Sequence, residues 1–525
     1  MQRRSRETLG LKWFVLGTTI ALAAHACGAN NQGARPRPGT GADGTGTGGG
    51  AGGGGDGGTG ANITIVVDGG VLLPSGPADV IATIDATSTH QTLEGFGAAV
   101  AFVANFLSVQ SGDIYKVLFV DSGLDILRIG NWYQNQDATK TTSSTPFTDN
   151  AAVQIVQKAT AARGGQPLKI LMSSWSPPAY LKSNGMTKPP PGSGASDAGS
   201  PLPGTLIKND GTYAYAEFGD WWLRSLQAYA AQGVVPDYIS IQNEPDFYAT
   251  DWETCVFAAT EGGTVQGIAA AGYGQALDAV FGAIQGSNLT VKPHLLGPET
   301  SGIGSGKVQR YLAGMNSASF YGVAHHLYNG GATGRNPAPD SFALSMATVA
   351  TSAAGKPTFM TEYSPGGPTL FDTAWLMHNA LTAEGVSAYI YWELIWGGQP
   401  SPVPLVSIAN ASPGSTYTVN DTYYALKHFA KWTDPGWVRV DATPSVAEVK
   451  ASAFISPDGK QLTVVLLNTD SADHVVAVNP GVFTFSTVAA YRTSGTSERA
   501  SQAVLGDDGG IALPARSIAT LTYGP

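Results

Sequence analysis

Residues 239–245 read Ile239-Ser240-Ile241-Gln242-Asn243-Glu244-Pro245. The apolar run before them predicts a buried strand, and a side-chain amide, a carboxyl and a proline stand where it stops. A second run ends the same way, in Phe359-Met360-Thr361-Glu362-Tyr363. Carboxyls at the ends of buried strands belong to chemistry at one rim of a sheet, so the next question is how many such strands there are.

Eight runs of this type can be counted, at 92–97, 124–130, 168–174, 238–243, 293–297, 323–327, 358–362 and 387–392. Helical stretches alternate with them, among them 151–162, 213–232, 274–285, 341–353 and 373–383. Eight β-then-α units predict an α/β fold, a closed (β/α)8 TIM barrel over 91–432 whose active site lies at the C-terminal strand ends. The segment 184–210, dense in Pro, Gly and Ser, reads as a long loop on that face. Past a helix at 422–432 the pattern turns to short alternating strands at 451–455, 462–467, 474–478, 488–491 and 519–523. Asp458-Gly459 between the first two is a hairpin signal. The stretch 433–525 is therefore expected to be a fused antiparallel β-sandwich side domain, joined by early strands within 62–90.

The N-terminus reads as an export signal over 1–27. Arg3, Arg4, Arg6 and Lys12 precede an apolar stretch too short to span a bilayer, and Ala24-His25-Ala26 supplies a small-x-small cleavage pattern. Cys27 follows directly, so lipidation there and plain secretion are both open. Residues 28–61 are Gly-rich with almost no apolar side chains, a composition that predicts a disordered linker. The expected location is extracytoplasmic, either secreted or held to a membrane surface through a lipid at Cys27. The other cysteine, Cys255, is read as a small buried thiol. With 13% charged residues and a net charge of −10, and with no basic block, a nucleic-acid partner is not expected. The low charge suits a monomer that meets a neutral polymer.

Hydrolysis of a glycosidic bond uses one protonated carboxyl as general acid and one carboxylate as nucleophile. Glu244 and Glu362 close the fourth and seventh runs. Across a barrel mouth such positions can lie about 5–5.5 Å apart, the spacing of a retaining mechanism. Asn243, beside the first, can hydrogen-bond a sugar 2-hydroxyl. Neither a cofactor nor a metal is called for: His325-His326 has no third ligand at convincing spacing.

The chain resembles glycoside hydrolase family 30 of clan A, in particular its bacterial xylanase branch. The residues that carry the likeness are Gln91-Thr92-Leu93-Glu94-Gly95-Phe96-Gly97, Ser174-Trp175-Ser176-Pro177-Pro178-Ala179-Tyr180-Leu181-Lys182, Ser240 to Pro245 with Trp252-Glu253-Thr254-Cys255, His326-Leu327-Tyr328, Met360-Thr361-Glu362 and Ala388-Tyr389-Ile390-Tyr391-Trp392. The resemblance implies Glu244 as acid/base and Glu362 as nucleophile. It implies that Trp175, Tyr328 and Trp392 stack on or flank sugar rings, and that Arg128 sits beneath the nucleophile. Further expectations are a sugar-lining His326, a Tyr363 that orients Glu362, and Glu299 as a carboxylate behind the site.

One departure bears on substrate. Xylanases of this branch that need glucuronosyl side chains share a basic segment after the eighth strand, whereas this chain reads Glu393-Leu394-Ile395-Trp396-Gly397-Gly398. Without Arg or Lys a bidentate grip on a uronate is missing, and Trp396 offers a stacking face instead. The expectation is an endo-acting β-1,4-xylanase independent of glucuronic acid. A β-1,6-glucanase or β-glucosidase-like activity is the alternative, and a non-catalytic carbohydrate-binding protein a more distant one.

Overall fold

The computed structural model describes residues 77–133, 149–166, 168–188, 204–328, 330, 337–365, 370–495 and 498–525, with the backbone of a short strand at Thr64–Ile65. The signal-like segment, Cys27, the linker at 28–61 and the middle of the 184–210 loop lie outside the described residues.

Eight parallel strands close into a barrel in chain order: Gly95–Val100, Ile126–Gly130, Lys169–Ser173, Tyr238–Ser240, His294–Thr300, Gly322–His326, Thr358–Glu362 and Val386–Tyr391. The last pairs with the first through Ala388 opposite Gly95 and Tyr391 opposite Ala98. Ile126, Leu171, Tyr238, Leu296, Ala324, Phe359, Ala388 and Ile390 fill the interior as a packed plug, as a barrel of this size requires. Helices Asn150–Ala162, Tyr215–Ala230, Tyr273–Gln285 and Ala343–Ser352 follow the second, third, fourth and sixth strands. After the seventh strand, helix Leu370–Asn379 widens into a π-type turn over Ala380–Glu384.

Three barrel strands differ from the sequence reading by three residues at one end. The fifth runs on through Pro298, Glu299 and Thr300 rather than stopping at 297. The first begins at Gly95 rather than at 92, because Thr92 ends a long strand of the other sheet, Val80–Thr92, and Leu93 donates its N–H to Trp437. The fourth stops at Ser240 rather than at 243. Beyond it, Asn243 donates to the Ser174 carbonyl at 2.7 Å and the Gln242 amide to the Trp175 carbonyl at 2.8 Å. These residues have left the ladder to fix the loop after the third strand.

The second sheet is mainly antiparallel and draws most of its strands from the C-terminal part: Val438–Pro444, Val449–Ile455, Leu462–Asn468, His474–Asn479, Thr487–Thr493, Ser501–Ala503, Ile511–Leu513 and Ile518–Gly524. Asp458-Gly459 does turn a hairpin, with Ile455 facing Leu462. Val80–Thr92 lies between Val438–Pro444 and His474–Asn479. Its core of Val80, Ala82, Ile84, Val464, Leu466, Ile511 and Leu521 is its own, whereas Phe454, Val465, Leu467 and Ile518 join the core around the barrel.

Candidate active site

At the C-terminal rim the fully buried Arg128, on the second strand, is the centre of a charged network. Its guanidinium donates to Glu362 Oε2 at 2.7 Å, to Asn243 Oδ1 at 2.6 Å and to Ser173 Oγ at 3.1 Å, and lies 3.1 Å from Glu299 Oε1. The fork of donors thus ties strand ends two, three, five and seven together. Its other face carries the Trp175 ring, 4.5 Å from the guanidinium carbon.

Glu244 and Glu362 enter from opposite sides of this network. Glu244 takes φ 47° and Glu299 φ 58°, left-handed conformations uncommon for side chains of this kind, and the Glu244 N–H donates to the Glu299 carbonyl at 3.1 Å. Strained backbone of this sort persists where the surroundings over-determine it. His326, at the end of the sixth strand, places Nδ1 3.0 Å from Glu244 Oε1. Tyr328 donates its hydroxyl to Glu362 Oε1 at 3.0 Å. Ligand-type atoms of Glu244, His326 and Glu362 all lie within 4.8 Å of one another.

The environments separate the acids. Burial pushes the Glu244 carboxyl up, and the nearby Glu362 charge adds to this, while His326 opposes them. Glu299 is buried too, but Arg128 and His326 outweigh its desolvation and hold it at about 2. His326 is driven up to about 9: burial works against its charge, and Glu362, Glu244 and Glu299 overcome it. An ionised Glu299 and a protonated His326 follow at neutral pH, and Glu244 is shifted toward its acid form. Glu244, His326 and Glu362 lie close enough to share a cation, and Arg128 already pairs with Glu362 and Glu299.

Most site residues named from the sequence meet here. Asn243 shares Arg128 with Glu362, and Trp392 packs 6.2 Å from Trp175. The Tyr363 ring is buried against Tyr328 and Phe342, and Tyr328 supplies a hydroxyl to Glu362. Trp396 is half-buried on a separate short strand, Ile395–Gly397. Three residues escaped the sequence reading. Phe102 and Trp132 join Trp175 and Trp392 in one aromatic cluster. Glu393 is buried, and desolvation, reinforced by Glu362, pushes its carboxyl well above the ordinary range. A signal for the first two existed: Phe102, Trp132 and Trp175 each stand two positions past a barrel strand end.

Residues 436–521 match the model of the glycosyl hydrolase family 30 beta sandwich domain. The chain is 27% identical over 442 residues to an endo-1,6-beta-D-glucanase of Aspergillus fumigatus, covering 75% of this chain and 83% of that protein. It is 28% identical over 179 residues to a glucuronoxylanase of Bacillus subtilis, covering 32% and 39%. Among solved structures, the catalytic domain of the GH30 xylanase C from Talaromyces cellulolyticus superposes with a TM-score of 0.65 at 20% identity, covering 85% of this chain and all of that one. Barrel, sandwich and two carboxyls at one rim form an arrangement suited to glycoside hydrolysis. The C-terminal sandwich is thus that of glycosyl hydrolase family 30, and the chain as a whole shares the fold of that family's solved xylanases.

Proposed function

We propose that the chain hydrolyses β-linked, neutral polysaccharide with net retention, with Glu244 as acid/base and Glu362 as nucleophile. The observation that carries this reading is the approach of the two carboxyls, oxygen to oxygen within 4.8 Å, with Glu244 against His326 and Glu362 held by Arg128 and Tyr328. Such spacing leaves no room for the water that an inverting mechanism places between them. Glu244, whose carboxyl burial shifts toward its acid form, gives its proton to the glycosidic oxygen as the C1–O bond breaks. Glu362, aligned by Arg128 and Tyr328, bonds to C1. Glu244, now a carboxylate, takes a proton from water, whose oxygen displaces Glu362 and restores both groups. Asn243, fixed by Arg128, faces the ring that is attacked.

Xylan without a uronate requirement is the first substrate in this reading, on the motifs quoted above and on the absence of Arg and Lys from 393–398. β-1,6-Glucan is the second, favoured by the likeness to the Aspergillus endo-1,6-glucanase over most of both chains. Export through the N-terminal segment, with or without a lipid at Cys27, would bring the enzyme to either polymer. Among the described residues no helix is long and apolar enough to cross a membrane.

Product analysis on linear xylooligosaccharides, glucuronoxylan and β-1,6-glucan, with the anomer first released followed by NMR, tests these statements. Shortened linear xylo-oligomers released as the β-anomer are expected. Cleavage of the glucan alone would transfer the assignment to the second substrate, action on glucuronoxylan alone would remove the uronate argument, and an α-anomer would overturn the mechanism.

A further inference from the structure

The aromatic cluster is larger than one sugar ring needs. Trp175 is 2% exposed and lies flat on Arg128, so it belongs to the floor beneath the ring that Glu362 attacks. Trp132 stacks on it at 5.7 Å and 26°, in space that Gly130 leaves open: a Cβ there would meet the Trp132 ring at 2.5 Å. Phe102 stands one ring further out. It touches Trp132 and Trp175 at 5.6 Å each and Trp392 at 6.2 Å, yet it is 37% exposed. A large apolar ring held by three indoles and still open to solvent is a fixed surface with one face unused.

Its place on the rim says which sugar could use it. The four aromatics follow strands eight, one, two and three, and Glu244 follows strand four. The leaving sugar departs on the side of its proton donor, so the aromatic arc is left to the retained, non-reducing part of the chain. Ile395–Gly397 abuts the helix Ala104–Ser108 that begins just beyond Phe102, where a Cβ on Gly397 would meet the Phe106 ring at 2.1 Å. Residues 393–398 carry no Arg or Lys, so this segment brings a stacking face rather than a charge to the rim, which suits an uncharged ring.

We propose that Phe102, buttressed by Trp132, is the stacking face for a second neutral sugar ring on the non-reducing side of the scissile bond, and so sets a preference for oligomers over single glycosides. This rests on the glycosidase reading above and adds the length of substrate that the site senses.

The test is the ratio of kcat/KM on xylotetraose to that on p-nitrophenyl β-xyloside. A β-1,6-linked glucose tetramer and the aryl glucoside replace them if the wild type prefers glucan. Phe102→Ala is expected to lower this ratio about tenfold, the scale of one aromatic stacking contact. Trp132→Phe should lower it less, and Phe102→Tyr should restore it. A ratio equal to that of the wild type in Phe102→Ala, whether both activities persist or both fall together, overturns the inference. A wild type inactive on both sets overturns the glycosidase reading, and this inference with it.

Discussion

The two ends of the barrel use the same chemistry to opposite purposes. At the N-terminal rim Glu94 accepts from Lys169 at 2.8 Å, from the Tyr238 hydroxyl at 2.5 Å and from the Tyr321 hydroxyl at 2.6 Å. Those donors outweigh its desolvation and hold it below the usual carboxylate range. At the C-terminal rim Glu299, Glu244 and Glu362 share Arg128, His326 and Tyr328, but Glu299 Oε2, His326 Nε2 and Glu393 Oε2 have no hydrogen-bond partner among the described residues. Buried polar atoms are costly to leave unpaired. The bottom network is finished and ties strands together; the top one keeps buried polar atoms unpaired.

If that contrast is sound, the two rims should respond differently to equally small changes. The largest effect is expected from Glu362→Gln and Glu244→Gln, each lowering kcat on polysaccharide on the order of 10⁴-fold, with near-wild-type substrate affinity by calorimetry. The two should separate on a 2,4-dinitrophenyl glycoside, whose leaving group needs no proton: Glu244→Gln still forms the glycosyl-enzyme, seen as a burst, and Glu362→Gln does not. A burst in Glu362→Gln would reverse the assignment. Next, Tyr328→Phe removes a hydrogen bond to a charged group, about 1.5–3 kcal/mol, so kcat/KM should fall between about tenfold and a hundredfold. Wild-type kinetics in that variant would mean that the Tyr328 contact does not matter to turnover.

Smaller still are the pH effects. Because Glu244 must carry a proton and burial raises its pKa, activity should persist above the ordinary carboxylate range and fall as pH rises through that raised value. His326 opposes this rise, so in His326→Asn the alkaline limb should move to higher pH; a limb that moves down would refute the electrostatic account. For stability the signs differ between the groups. The contribution of His326, raised to about 9, is complete below about 6.5 and is lost as pH climbs through 9. That of Glu299, lowered to about 2, is complete above the unfolded carboxylate range and is lost as pH falls toward 2.

The smallest effect on catalysis belongs to the bottom rim. Glu94→Gln should leave kcat and KM unchanged while costing about 1–3 kcal/mol of stability, read as a lower urea midpoint. Its pKa is depressed, so its stabilisation is present above the unfolded carboxylate range and shrinks as pH falls. A loss of turnover in this variant would erase the distinction between the rims.

Glu244 and Glu362 were legible in the sequence because a charged group breaks an apolar run at a definite point, at the strand end for Glu362 and four residues past it for Glu244. The barrel was legible for the same reason, since each of its eight strands is a short apolar run. The strand ends were harder. Gln242 and Asn243 continue the apparent run of the fourth strand, but their hydrogen bonds go to Trp175 and Ser174 rather than to the ladder. Val438–Pro444 and Ile511–Leu513 were missed, the first carrying Arg439 and Asp441 within its alternation and the second being only three residues long. Phe102 and Trp132 hide for another reason: an aromatic residue near apolar neighbours looks like core until the strand registers align it with Trp175.

The strand Val80–Thr92 has a consequence for how the chain reaches this state. It pairs with Val438–Pro444 on one side and His474–Asn479 on the other, partners that are translated about 350 and about 400 residues later. Loop closure over such a span is slow, and a strand waiting for it has both edges bare. The first barrel strand begins three residues after Thr92, so the barrel's opening element is held to a sheet that only the last part of the chain can complete. The sandwich is thus less an appendage than a clasp: a polypeptide emerging N-terminus first keeps its catalytic half provisional until its final strands arrive.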